Sequence, residues 1–464
     1  MLSTMHEVTA AEAASRAYRH RGVASAREVV ALLGGARVDA AGLRMGKDYL
    51  AHQMELAAGL ECDLPADAAQ LTAWIEQRAQ QVGEQYEQYL AQRRDGAGRR
   101  FFSSRAHALH FLVTVAPTKL VDGAWLYGSL RCWADPLARP LVLTYLEELG
   151  DGVPEMNHVA MYRHLLARHD GDMHLPQDDT FYVQAAIQLA LGHHADQLLP
   201  EAIGFNLGYE QLPLHLLITA YELNELGIDP YYFTLHVTID NAASGHAAKA
   251  AAAVVDAAAA QADPQDFMRR VRRGYLLNDL GASTTDIIAG FDIDGEVVRM
   301  LAGKARYGSH MHSDYCRFGG KTVNQWLQDP GSTADFLAEL EKSKWIERGR
   351  AADDSRFWRL IERAGGEMFG VFDSYEKQLL KDWIEQGWTD APPIRSFRAA
   401  ARLRERQAGV APASGTLGTH GAASPASHVP GDLAGLVAQL SPGRHHTPAG
   451  LAATRAFSAL YRAQ

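Results

Sequence analysis

Cysteine is scarce in this chain of 464 residues: Cys62, Cys132 and Cys316 are scattered and form no Cys-x-x-Cys pair. That usage offers neither a disulfide framework nor a thiolate metal site, so a reducing, cytoplasmic setting is the expectation. No run of about 18 apolar residues occurs, so no segment is a candidate membrane-spanning helix. The opening stretch MLSTMHEVTAAEAASRAYRHRG lacks an apolar core of signal-peptide length. Excess positive charge is also missing. The formal net charge is −10 and the pI about 6.0, so nucleic acid and anionic membranes are not expected partners. Alternating β-branched stretches are nearly absent, which argues against a sheet protein.

What is present reads as helix. Hydrophobic residues make up 47% and charged residues 22%, as in a chain with a substantial core. Residues 1–100 form a helical N-terminal extension, with short helices broken at Gly34-Gly35 and a long amphipathic segment from Asp67 to about Arg94. Residues 101–265 are more apolar and punctuated by Pro117, Gly150–Pro154, Pro200 and Gly227–Pro230, the pattern of a helical bundle. The alanine-rich stretch 247–260 favours close helix packing. A helical region packing on the bundle is expected over 266–405. Residues 406–464 begin as an Ala/Gly/Ser/Pro/Thr linker and end in two short amphipathic pieces, Leu433–Leu440 and Leu451–Tyr461, expected to dock back.

Chemistry concentrates in YYFTLHVTIDNAASGHA, residues 231–247. On a helix His236 and Asp240 share a face and can hold one ion. Spacing alone decides nothing, because His174/Asp178 and His310/Asp314 repeat it. Pro176 interrupts the first of these, and the second lies in a Gly-flanked polar loop. His236 and Asp240 instead sit in an apolar helix, where a charged Asp must be paired, neutralised or on a metal. A core His–Asp hydrogen bond is the plain alternative. Compatible ligands occur elsewhere. Glu148 and His158 flank the turn in YLEELGDGVPEMNH, Glu210 stands in the apolar segment GFNLGYEQLPLHLL, and Asp122 lies in TKLVDGAWLYG, where Asp-Gly is also an ordinary turn signal. Carboxylates with imidazoles suit iron or manganese better than zinc. Glu201, Glu222 and Glu225 are alternatives to Glu210.

The ordered segments EELGDGVPEMNH, GFNLGYE and LHVTIDNAASGH resemble the haem-oxygenase-like diiron oxygenases, a family of iron-containing redox enzymes, over about residues 100–265. The resemblance implies an all-α, haem-oxygenase-like bundle with two Fe(II)/Fe(III) ions and O2 as co-substrate. Glu148 and His158 match an early ligand pair, Glu210 a middle glutamate, and His236 and Asp240 open the late motif His-x-x-x-Asp-x-x-His. Asp122 falls where some N-oxygenating members carry a further carboxylate. The last motif position is Ala243, and the nearest histidine is His246. On an ideal helix His246 points roughly 120° from Asp240, so it joins the site only if the helix is distorted between them.

The resulting expectation is a non-haem diiron oxygenase acting on a small amine- or amino-acid-like substrate in natural-product biosynthesis. N-oxygenation is favoured over desaturation or carbon–carbon cleavage, and an external electron donor and a homodimer are both compatible with it. Phe205, Tyr209, Phe233 and Leu235 would exclude water. Two other classes remain open: a metal-independent oxidase or hydrolase of the quinone-synthase or thiaminase type, and a non-catalytic helical iron-binding protein.

Overall fold

A computed structural model describes residues 24–239, 245–363, 366–386 and 432–463. The low-complexity stretch after Gln407 falls outside these, up to residue 431. Among the described residues the fold is helical apart from one hairpin of two-residue strands. Two N-terminal helices, α1 (Ala26–Leu33) and α2 (Ala40–Ala57), are separated at Gly34-Gly35 as expected. Ser25 and Glu28 form a capping box that satisfies the first free N–H groups of α1. The long α3 (Leu71–Arg94) follows, and the chain then turns at Asp95-Gly96.

The bundle begins with α4 (Arg105–Lys119), capped by Ser104 and buried from Ala106 to Pro117 except at His110. Pro117 does not end this helix but sits in its last turn. Next come a 3₁₀ stretch (Ala124–Cys132), α5 (Arg139–Glu148), α6 (His158–Ala167), α7 (Val183–His194), α8 (Leu199–Tyr209) and α9 (Leu214–Glu225). Then follow α10 (Tyr231–Ile239), α11 (His246–Ala259) and α12 (Pro264–Tyr275). Pro200 occupies the first turn of α8, where its missing N–H costs nothing.

Close packing here depends on small residues. A Cβ on Gly204 of α8 would lie 1.9 Å from the Val271 carbonyl oxygen, and one on Gly274 of α12 equally close to that of Glu201. The two helices therefore meet backbone to backbone. In α11, Ala247, Ala250, Ala251, Val254, Ala257 and Ala258 form the buried stripe.

After α12 come α13 (Thr284–Ala289), α14 (Ile293–Gly308), β1 (Arg317–Phe318), β2 (Lys321–Thr322), α15 (Val323–Leu327), α16 (Thr333–Lys342), α17 (Arg356–Glu362) and α18 (Ser374–Glu385). Strands β1 and β2 pair antiparallel, with Arg317 opposite Thr322 and Phe318 opposite Lys321. This region carries its own core around Val297, Trp358, Leu380 and Trp383. The last helices are α19 (Leu433–Val437) and α20 (Pro448–Arg462). Leu433, Leu436, Leu440, Phe457 and Tyr461 join the same core that holds Val29 and Leu50 from the N-terminal helices and Leu146 from the bundle. Hydrophobic burial thus ties α1, α2 and residues 433–461 to the bundle. Among the described residues, no helix is long and apolar enough to cross a membrane.

Candidate metal centre

Six of the seven side chains named from the sequence converge in the bundle. Asp122 lies in the turn after α4, Glu148 ends α5, His158 starts α6, Glu210 caps the C-terminus of α8, His236 belongs to α10, and His246 starts α11. All six are buried, none more than 7% exposed. Asp240, the seventh, lies outside the described residues. Gly245, the residue before His246, is extended, so the chain there does not follow the ideal helix on which His246 would point away. His246 is carried into the centre on a helix of its own.

The donors form two groups, Asp122, Glu148, His158 and His236, and Glu148, Glu210 and His246. Glu148 belongs to both. His158 Nδ1 lies 2.5 Å from Glu148 Oε2 and 3.8 Å from Asp122 Oδ2. His236 Nε2 is 3.4 Å from Asp122 Oδ2. His246 Nδ1 lies 3.1 Å from Glu210 Oε2 and 3.6 Å from Glu148 Oε1.

Local structure explains how these side chains are aimed. Asp122 precedes Gly123, which has φ 78°, and a Cβ there would come within 3.0 Å of the Glu148 Cβ. The Asp-Gly pair is therefore a tight turn that also delivers a carboxylate. Tyr209 Oη donates to Asp122 Oδ1 at 3.1 Å, and Tyr232 Oη donates to Asp122 Oδ2. Burial pushes the Asp122 carboxyl upward, but Lys119, His236 and His158 outweigh it and hold the group well below the usual carboxylate range. Burial, reinforced by Asp122, pushes the phenols of Tyr209 and Tyr232 well above their ordinary value, so both remain donors.

Two features show that the donor set suits a cation. The Tyr232 carbonyl, which can only accept, is 2.7 Å from His236 Nδ1. Nδ1 therefore carries a proton, and in the neutral ring Nε2 presents a lone pair toward Asp122. In the same way His246 Nε2 reaches the Glu147 carboxylate at 2.7 Å, which leaves Nδ1 facing Glu148 and Glu210. In the neutral rings these lone pairs face carboxylates, and a shared proton or a metal ion removes the repulsion. Helix ends add to this, because Glu148 and Glu210 stand at helix C-termini, where anions are disfavoured. His158 and His246 stand at N-termini, where the neutral imidazole is favoured. A dense set of oxygen and imidazole donors is the environment iron takes.

Some residues that matter here were not singled out from the sequence. Glu147 orients His246 and is itself held by Lys249 Nζ at 2.8 Å. Burial raises its carboxyl, but His246 and Lys249 outweigh this and hold it at about 2. Its only sequence signal is its position beside Glu148. Lys119 Nζ donates to Tyr209 Oη at 3.2 Å and lines a cavity of about 680 Å³ that reaches Glu148, Glu210 and His236. Phe111, Val115, Phe181 and Phe233 line it too. Of the expected water-excluding residues, Phe205 and Phe233 are buried, whereas Tyr209 and Leu235 are half-buried. The alternative acids are engaged elsewhere: Glu201 by Arg270 and Arg273, Glu225 by Arg93, and Glu222 by Tyr89 and three backbone N–H groups. His174 pairs with Asp373, and His310 is exposed.

A mostly helical body with buried carboxylates and imidazoles at its centre is one that could hold a metal ion. Residues 109–279 match the family model described as iron-containing redox enzyme. The mostly helical architecture agrees with the haem-oxygenase-like fold that the resemblance implied. No curated protein and no solved structure matches the chain.

Proposed function

We propose that this protein is a non-haem diiron oxygenase that uses O2 to oxidise a small amine- or amino-acid-like substrate, with N-oxygenation favoured over desaturation or carbon–carbon cleavage. The observation that carries the reading is the sharing of Glu148 between two donor groups. Asp122, Glu148, His158 and His236 would hold one iron ion, and Glu148, Glu210 and His246 would hold a second. Bound ferrous iron would supply the electrons that activate dioxygen. N-oxygenation is favoured because the set includes the extra carboxylate of Asp122.

The chain's own residues supply binding, orientation and proton control. The apolar walls at Phe111, Val115 and Phe233 keep water from the reacting end of the cavity. The Lys119 ammonium is placed to pair with the carboxylate of an amino-acid-like substrate, which would direct the amine inward. Tyr209 links Lys119 to Asp122 through successive hydrogen bonds at its hydroxyl and can pass a proton between the cavity and the Asp122 carboxylate. Glu147 keeps the His246 ring turned so that Nδ1 faces the centre.

Metal content tests the proposal. Protein reconstituted anaerobically with ferrous iron should hold about two irons per chain, and Glu148→Ala should lose both ions because it removes the shared ligand. His236→Ala should lose one. Wild-type protein saturating at a single iron, or oxidising candidate amino acids with O2 while metal-free, overturns it.

A further inference from the structure

The turn between Glu148 and His158 joins two buried side chains through a contorted backbone. Gly150, Asp151 and Gly152 all have positive φ, at 60°, 48° and 83°. A left-handed aspartate is unfavourable unless something holds it. The residues that hold it come from the far end of the chain. Ser458 Oγ donates to Asp151 Oδ1 at 2.6 Å, and Arg462 reaches both Asp151 oxygens at 3.1 Å. Arg455 donates to the Gly152 carbonyl. The hydroxyl of Tyr145, three residues before Glu148, donates to the Leu440 carbonyl at 2.6 Å.

The central contact is more specific. Asn157 precedes His158 and caps α6, its Oδ1 accepting from the Ala160 N–H at 3.0 Å. Its Nδ2 donates to the Leu149 carbonyl at 3.2 Å. Leu149 follows Glu148, so one amide side chain ties the end of α5 to the start of α6. The same Nδ2 lies 3.1 Å from Nδ1 of the buried His445, which accepts from it. Residue 443 is glycine, and a Cβ there would lie 2.4 Å from the Gly35 carbonyl oxygen, so the segment carrying His445 is seated against the end of α1.

We propose that residues 432–463 are a strap that positions the Glu148–His158 turn, and that His445 is its main positioning residue, acting through Asn157 on both side chains. The inference rests on the reading of Glu148 and His158 as metal ligands. The strap makes metal affinity depend on a segment with no ligand of its own, more than 280 residues distant in sequence from the turn it holds.

The test uses full-length His445→Ala and His445→Gln, the latter offering an amide oxygen to Asn157. Hydrogen exchange at residues 149–157 of metal-free protein reads the strap directly. Titration with Co(II), followed by its ligand-field absorption, reads the ligand geometry. His445→Ala should keep a single thermal transition, exchange faster at 149–157, and bind Co(II) about tenfold more weakly with an altered band; His445→Gln should recover both. Wild-type exchange and affinity in a folded His445→Ala overturn the proposal. Should that variant fail to fold, Ser458→Ala/Arg462→Ala makes the same comparison, and wild-type values there overturn it equally. Wild-type protein that binds no Co(II) overturns the ligand reading, whereas faster exchange in the variant would still support the strap.

Discussion

Glu201, Glu210 and Glu222 are three buried glutamates in helical segments of similar character, and their partners separate them completely. Glu201 neutralises Arg270 and Arg273, and Glu222 accepts the N–H groups of Arg100, Phe101 and Phe102 together with the Tyr89 hydroxyl. Glu210 faces His246 and Glu148. Glu222→Gln should therefore lower stability by about 2–4 kcal/mol, since a carboxylate with four donors loses its charge, while leaving iron content unchanged. Chemical denaturation and metal analysis check the two halves. Tyr232→Phe should do the reverse. It removes one donor from Asp122 at little cost in packing, so the fold should persist while metal affinity drops about tenfold or more. An unchanged ferrous Kd would show that the phenol does not help to hold Asp122 in place.

At the scale of elements, the candidate ligands cluster at helix ends, so small shifts of helix position move the donors. The crossing of α8 and α12 bears directly on this, because Glu210 caps α8. Gly204→Ala would push a methyl group into the Val271 carbonyl and should cost about 3 kcal/mol or more. A thermal melt unchanged from wild type would mean that the helices separate without penalty. Much of this level was legible in the sequence: the break at Gly34-Gly35, the long α3, the turn at Asp95-Gly96 and the alanine stripe of α11. Pro117 was less legible. Pro117 removes the N–H that would bond the Val113 carbonyl, but only two residues of helix follow it, so the helix runs on to Lys119.

Across the whole molecule, several histidines are buried as neutral rings. Burial lowers His193 to about 4 and His445 to about 3, with weaker contributions from neighbouring charges and hydrogen bonds. In the unfolded chain both take up a proton near 6.5, so below that pH the unfolded state binds more protons than the folded one. Stability should be level above about pH 7 and fall as the pH drops from about 6.5 toward 4, each group contributing up to about 1.4 kcal/mol per pH unit. Denaturation midpoints at pH 7.5, 6.0 and 5.0 check this, and a midpoint that rises on acidification would contradict it. Because His445 holds Asn157, acid should loosen the C-terminal strap along with the global fold.

By itself the sequence determined the helical class, the helix breaks and a set of candidate metal ligands, because these follow from local propensity, hydrophobic periodicity and side-chain chemistry. The tertiary structure decided which of those residues meet. Glu210 was separated from Glu201 and Glu222 by long-range partners, His246 reached the centre on its own helix, and Glu147 became the partner that orients it. The docking of 432–463 onto the Glu148–His158 turn was decided there too, since a contact across nearly 290 residues leaves no spacing or period to read. Composition restricts which ligands are available, but only packing settles which lone pairs face one another.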